Sequence, residues 1–318
     1  MTIRTIILSC LIYLAVFPMI THAKVDYISL HEIESAARKP LSVKLNIVEK
    51  NRSFNGYQLV YSHQSKSTMT EMRFSVYLPD SRKRLPVLYF LSGLTCTEQN
   101  FIQKSGIQQH ASNHQIVVVG PDTSPRGKDV PDHKDNFIGH GASFYLNATT
   151  SKWKKNYKMY DYIVKELPEI INNNFNVYRN KQGIMGHSMG GHGALVCGLK
   201  NPKKFKSISA LAPICSTINS NFSINAFTNY LGKNKSTWEE YDSTKVLSKY
   251  TKSSEILIDQ GLKDEFINEL KYNDLLKACK KNNQKISFRL HKNFTHNYYF
   301  ISSFIEDHIV HHLKILKK

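Results

Sequence analysis

Short apolar runs bounded by turn-forming residues recur along the chain. Residues 86–92 (PVLYFLS) are almost continuously apolar and stop at Gly93, and 115–120 (QIVVVG) stop at Pro121. Runs of this length without polar alternation suit strands buried on both faces of a parallel sheet. Residues 56–62 (GYQLVYS) and 70–79 (TEMRFSVYLP) are extended, rich in β-branched and aromatic residues, and predicted to pair antiparallel at one edge. Further strands are predicted at 182–186, 207–212, 255–259 and 286–290. Helical patterns occupy 99–113, 158–174 (despite Pro168), 189–200, 265–281 and 298–315. Strands alternating with helices predict an α/β sandwich around a mostly parallel sheet. No compositional break or internal repeat divides 25–318, so one domain is predicted after the leader.

That leader is residues 1–23. Arg4 precedes an uncharged, mostly apolar run from Thr5 to Met19, followed by Thr21-His22-Ala23. The pattern is that of an export signal cut after Ala23, and it predicts a periplasmic or secreted protein. The run is short for a membrane span, and Pro18 interrupts it. The remaining cysteines, Cys96, Cys197, Cys215 and Cys279, are too few and too scattered for a disulfide framework, and none has CxxC spacing. The formal charge of +18 is spread over separate Lys-rich stretches without aromatic interleaving. It predicts a solvated basic surface, with attraction of anionic substrates or a membrane as the alternative, and no motif points to nucleic acid.

The sharpest chemical signal is Gly186-His187-Ser188-Met189-Gly190, a GxSxG between a predicted strand and a predicted helix. A serine on such a tight turn needs small neighbours at −2 and +2, and the turn pushes Oγ towards a substrate. This context predicts an α/β-hydrolase, with 24–318 as one catalytic domain. A free hydroxyl is a poor nucleophile, so a base and an acid should follow in the order Ser, Asp or Glu, His. The loop after 255–259 offers Asp264, with Asp259 and Glu265 as rivals. The loop after 286–290 offers His296, with His291 as its rival. His187 reads as a packing or hydrogen-bonding residue. His308, His311 and His312 have helical spacing but no carboxylate cluster to complete a metal site, and none is predicted. The backbone amides of Met189 and Leu94 are the candidate oxyanion donors.

Several separate motifs then match one family. LSGLTCTEQNFI (91–102), PDTSPRG (121–127), GHSMGGHGAL (186–195), APIC (212–215), ILIDQGLKDEF (256–266) and THNYYFISSFIEDHIVHH (295–312) closely resemble the S-formylglutathione hydrolase, or esterase D, family. The resemblance spans about 50–315. It implies a serine hydrolase that cleaves a formyl thioester, with a short-chain carboxylesterase or acyltransferase as the alternative. It favours Asp264 over Asp259 and supports His296. It implies that Cys96 lies near the nucleophile without being one, and that Trp153 lies near the acyl site. It implies no cofactor, a small thioester or ester as partner, and a homodimer. Two departures stand out. The family usually lacks an export signal, and its Cys-Pro-Trp-Gly stretch after APIC is replaced by Ser216–Phe222, a loop that could line the pocket.

Overall fold

The structure, a computed structural model, describes residues 43–250 and 253–318. The predicted leader at 1–23 lies outside these residues. Nine strands form one sheet: β1 (Asn46–Arg52), β2 (Gly56–Gln64), β3 (Glu71–Pro79), β4 (Leu85–Leu91), β5 (Val117–Pro121), β6 (Val177–His187), β7 (Phe205–Leu211), β8 (Ile256–Gly261) and β9 (Ile286–His291). Their order is β1-β2-β3-β5-β4-β6-β7-β8-β9. The first three strands are antiparallel neighbours, and β3 also runs antiparallel to β5. From β5 to β9 every pairing is parallel. This is the mostly parallel sheet of an α/β-hydrolase.

The labelled helices are α1 (Glu98–Lys104), α2 (Ile107–His114), α3 (Leu167–Asn174), α4 (Met189–Lys200), α5 (Asn221–Leu231), α6 (Ser243–Lys249), α7 (Tyr272–Lys281) and α8 (Tyr298–Leu316). They cover both faces of the sheet, as β6 makes visible. A side chain added at Gly183 would meet Ser207 and His312 of α8, whereas the next residue, Ile184, approaches Gly198 of α4. Consecutive strand residues point to opposite faces, so α8 and α4 lie on opposite sides. Every residue of β4 is buried, which is why it reads as an unbroken apolar run.

The differences from the sequence reading have local causes. Strand β6 starts at Val177, five residues early, because Tyr178, Arg179 and Asn180 are exposed and break the apolar signal. The predicted helix 99–113 is two helices separated at Gly106, whose φ of 68° only glycine adopts without strain. The 265–281 stretch is likewise interrupted, at Lys271 (φ 54°). Residues 158–174 include a π-helical turn, Tyr162–Glu166, which runs directly into α3 just before Pro168. Strand β1 and helices α5 and α6 were not predicted. All seven residues of β1 are exposed, so burial left no pattern there.

Helix α8 is fastened to the sheet by a buried polar array. His312 lies 2.6 Å from Ser207 Oγ and 2.8 Å from Ser209 Oγ, and His308 lies 2.8 Å from Ser209 Oγ. The other His308 nitrogen is 3.2 Å from Asp259 Oδ2, and Arg289 donates to both Asp259 oxygens at 2.6 and 2.5 Å. Burial alone would raise the Asp259 pKa, but the bonds from Arg289 and His308 outweigh it and hold the carboxyl well below its ordinary range. A depressed carboxyl pKa stabilises the fold above the unfolded value of about 3.9 and loses that effect as pH falls towards the native value. Asp259→Asn should therefore cost on the order of 2 kcal/mol at neutral pH, a Tm decrease of about 5 °C. Thermal melts across pH should show the gap to the parent closing below about pH 4.

Candidate active site

Ser188 sits between the end of β6 and the start of α4, with φ 58° and ψ −121°. A non-glycine residue in this conformation carries strain of about 1–3 kcal/mol. Surrounding bonds hold it there. Its N–H donates to Leu211 O at 3.0 Å, and its carbonyl accepts from His192 N at 3.0 Å and Ile214 N at 3.2 Å. The two flanking glycines follow from contact distance. A Cβ on Gly190 would run into the Leu91 carbonyl, and one on Gly186 into the Gly190 carbonyl.

The two downstream loops meet beside this turn. His296 Nδ1 is 2.7 Å from Asp264 Oδ2, a geometry in which Nδ1–H donates to the carboxylate and Nε2 is left for a substrate-side proton. Asp264 also accepts from Phe266 N at 2.8 Å and from Gln260 Nε2 at 3.0 Å. Among the described contacts His296 bonds to Asp264 and not to Ser188. In ligand-free sites the nucleophile–base bond is often long and tightens with substrate. His187 approaches the His296 ring at 4.5 Å between centroids, and Phe266 at 5.0 Å in an edge-on arrangement.

The rival residues have other partners. Asp259, on β8, is held by Arg289 and His308. Glu265 accepts from the His296 backbone N–H at 3.3 Å, so it braces the loop. His291 Nε2 lies 3.2 Å from Asp259 Oδ1 but without hydrogen-bond alignment. His308 and His312 belong to the buried array under α8, and among the described residues no group of three or more His, Cys, Asp or Glu side chains is arranged to hold a metal.

Ser188 and His296 line one cavity of about 270 Å3, together with Gly93, Leu94, Thr95, Cys96, Phe137, His187, Phe222, Phe266 and Tyr298. Burial, and then the neighbouring His296, push the His187 pKa well below its ordinary value, so this imidazole is neutral and acts through shape. Burial raises the Cys96 pKa and leaves a thiol rather than a thiolate, 3.9 Å from the Tyr298 hydroxyl. All four cysteines in the described residues are free. Trp153 is not among the residues lining this cavity; it is buried edge-on against Tyr157 and Tyr230, at 4.8 and 5.0 Å.

The Gly93–Cys96 loop is pinned from outside the cavity. Thr95 N donates to Gly141 O at 2.9 Å, and Cys96 O accepts from Thr123 Oγ1 at 2.5 Å and Arg126 Nη2 at 3.0 Å. Among the described loop, turn and side-chain bonds, neither Leu94 N nor Met189 N donates to a protein acceptor. Sequence reasoning missed the aromatic walls Phe137, Phe222 and Phe266. Phe222 was within reach, since it ends the Ser216–Phe222 segment flagged as pocket-lining. Phe137 sits in a loop with no pattern to reveal it.

Several known proteins are similar to this chain. The Esterase family profile matches residues 65–311. The chain is 49% identical over 278 residues to the S-formylglutathione hydrolase of Mus musculus, covering 86% of this chain and 99% of that protein. It is 51% identical over 280 residues to the S-formylglutathione hydrolase of Arabidopsis thaliana, covering 86% and 98%. A solved S-formylglutathione hydrolase from Agrobacterium tumefaciens superposes with a TM-score of 0.84 at 42% identity, over 85% of this chain and 99% of that one.

Gln260 is the residue whose role here is testable at once, because it is fully buried and donates to the same oxygen that His296 contacts. Removing a hydrogen-bond donor from a carboxylate costs about 1.5–3 kcal/mol. Gln260→Leu should lower kcat/KM by roughly tenfold. An unchanged kcat/KM would show that this bond does not hold Asp264 in place.

Proposed function

The chain belongs to the S-formylglutathione hydrolase family of serine hydrolases, and from that premise we propose that it hydrolyses S-formylglutathione to formate and glutathione through a formyl-enzyme on Ser188. The observation that carries the reading is the 2.7 Å contact between His296 and Asp264 beside a strained Ser188 in one cavity.

Ser188 Oγ attacks the thioester carbonyl carbon while His296 Nε2 takes its proton. Asp264 keeps the ring oriented and stabilises the imidazolium. The amides of Leu94 and Met189 receive the oxyanion, each a group without a protein acceptor among the described bonds. Collapse breaks the C–S bond, and the imidazolium returns its proton to the departing thiolate. Water then attacks the formyl ester, losing a proton to His296, and Ser188 leaves with formate released. Every step uses this chain's own groups.

The small cavity with three phenylalanine walls supports a second reading, turnover of short-chain esters, because apolar walls bind a short acyl chain without needing glutathione. A kinetic comparison of S-formylglutathione with short and medium acyl esters separates the two. A clear preference in kcat/KM for the formyl thioester is expected, and comparable or better turnover of simple esters would favour the second reading. Ser188→Ala should reduce kcat by at least about a thousandfold and abolish fluorophosphonate labelling, with the thermal melt retained. Unchanged labelling would refute Ser188 as nucleophile.

Export is part of the proposal. It rests on Arg4, the apolar run to Met19 and Thr21-His22-Ala23. Among the described residues no helix is long and apolar enough to cross a membrane. Expression in an export-competent host, followed by intact mass, should give a protein beginning at Lys24. A mass that includes residues 1–23 would overturn the export reading without touching the catalytic one.

A further inference from the structure

The cavity walls carry no permanent charge. Their ionisable side chains are Cys96, His187, His296 and Tyr298. Burial keeps the Cys96 thiol and the Tyr298 hydroxyl protonated and His187 neutral. A glutathione thioester differs from a simple ester in its leaving group, a tripeptide bearing two carboxylates and one ammonium. The glycine carboxylate lies about one residue length, roughly 3.5 Å of chain, beyond the cysteine that holds the sulfur, and the γ-linked glutamate carries its carboxylate farther out, past two methylene groups. Recognising that group calls for a cation near the cavity that no protein carboxylate already neutralises.

Two cations lie near the Cys96 side. Arg126 is committed, with Nε bonded to Asp122 at 3.1 and 2.8 Å and Nη2 to Cys96 O at 3.0 Å. Lys104 is different. It occupies the last turn of α1, and its Nζ lies 5.7 Å from the ring centre of Tyr298, a cavity-lining residue whose hydroxyl reaches Cys96. Among the described residues the lysines that pair with carboxylates are Lys165, Lys200 and Lys249, and Lys104 is not one of them. Helix α1 begins directly after the Gly93–Cys96 loop, with Thr97 as its N-cap, so Lys104 is carried on a rigid element tied to the loop that borders the nucleophile.

We propose that Lys104 anchors a carboxylate of the glutathione leaving group and thereby sets the preference for glutathione thioesters over neutral esters. The proposal rests on the S-formylglutathione reading above. Lys104 also lies at a helix C-terminus, where a cation is stabilising whatever the substrate. That structural role would not discriminate between substrates.

The test compares Lys104→Met, Lys104→Glu and Lys104→Arg with the parent on S-formylglutathione and on p-nitrophenyl acetate, at low and moderate salt. A rim charge acting on an anionic substrate should be worth a roughly three- to tenfold change in KM. Lys104→Met should raise KM for S-formylglutathione by that factor relative to KM for the neutral ester, with kcat much less affected. Lys104→Glu should raise it further and Lys104→Arg should restore most of it. The decline of kcat/KM with salt should be shallower in Lys104→Met than in the parent. Equal changes on both substrates, or an unaltered ratio, would overturn the assignment of Lys104. A parent enzyme that turns over the neutral ester but not S-formylglutathione would instead refute the functional reading itself.

Discussion

The molecule is organised around one strained backbone position. Ser188 is held at φ 58° because β6 runs straight into α4 with no room for a gentler turn. Gly186, Gly190 and the Leu91 carbonyl pack so closely that any Cβ would be displaced, so the strand, its neighbour β4 and the helix define the bend together. The strain of about 1–3 kcal/mol is small beside the burial of the surrounding sheet, which can sustain it. In return Oγ stands clear of the sheet, and the first amide of α4 lies free beside it.

The same rigid sheet assigns different tasks to similar groups. Asp259 and Asp264 are five residues apart. The first, on β8, faces α8 and is locked by Arg289 and His308. The second, in the following loop, bonds His296, Gln260 and a backbone amide. One carboxylate fastens a helix to the sheet, and the other orients an imidazole. Helix α8 links them, since it starts directly after His296 and carries His308 and His312 into the buried array. His296 therefore precedes, across the N-cap Asn297, a helix whose docking involves the other aspartate.

The cavity divides its duties in the same manner. Phe137, Phe222, Phe266 and Leu94 supply apolar walls beside Ser188 and His296. Excluding water strengthens each remaining electrostatic contact. Charge is kept outside the walls, where a solvated lysine can meet an anionic leaving group without being desolvated.

Much of this was legible in the residues alone. Continuous apolar runs gave away the parallel strands, because burial on both faces leaves no polar position. The GxSxG turn was legible because its glycines answer a steric demand that no other residue meets. Chain order narrowed Asp264 and His296 to two loops, and the family resemblance favoured them over Asp259 and His291. The contact itself came only with the tertiary structure, since pairing across 32 residues depends on which face each side chain takes when β8 and β9 align. That structure also packed Trp153 against Tyr157 and Tyr230, and it brought Phe137 to the cavity from a loop without periodicity. Local sequence determines elements whose interactions are local. The partner that a side chain meets from a distant loop is decided by the packing of the whole sheet.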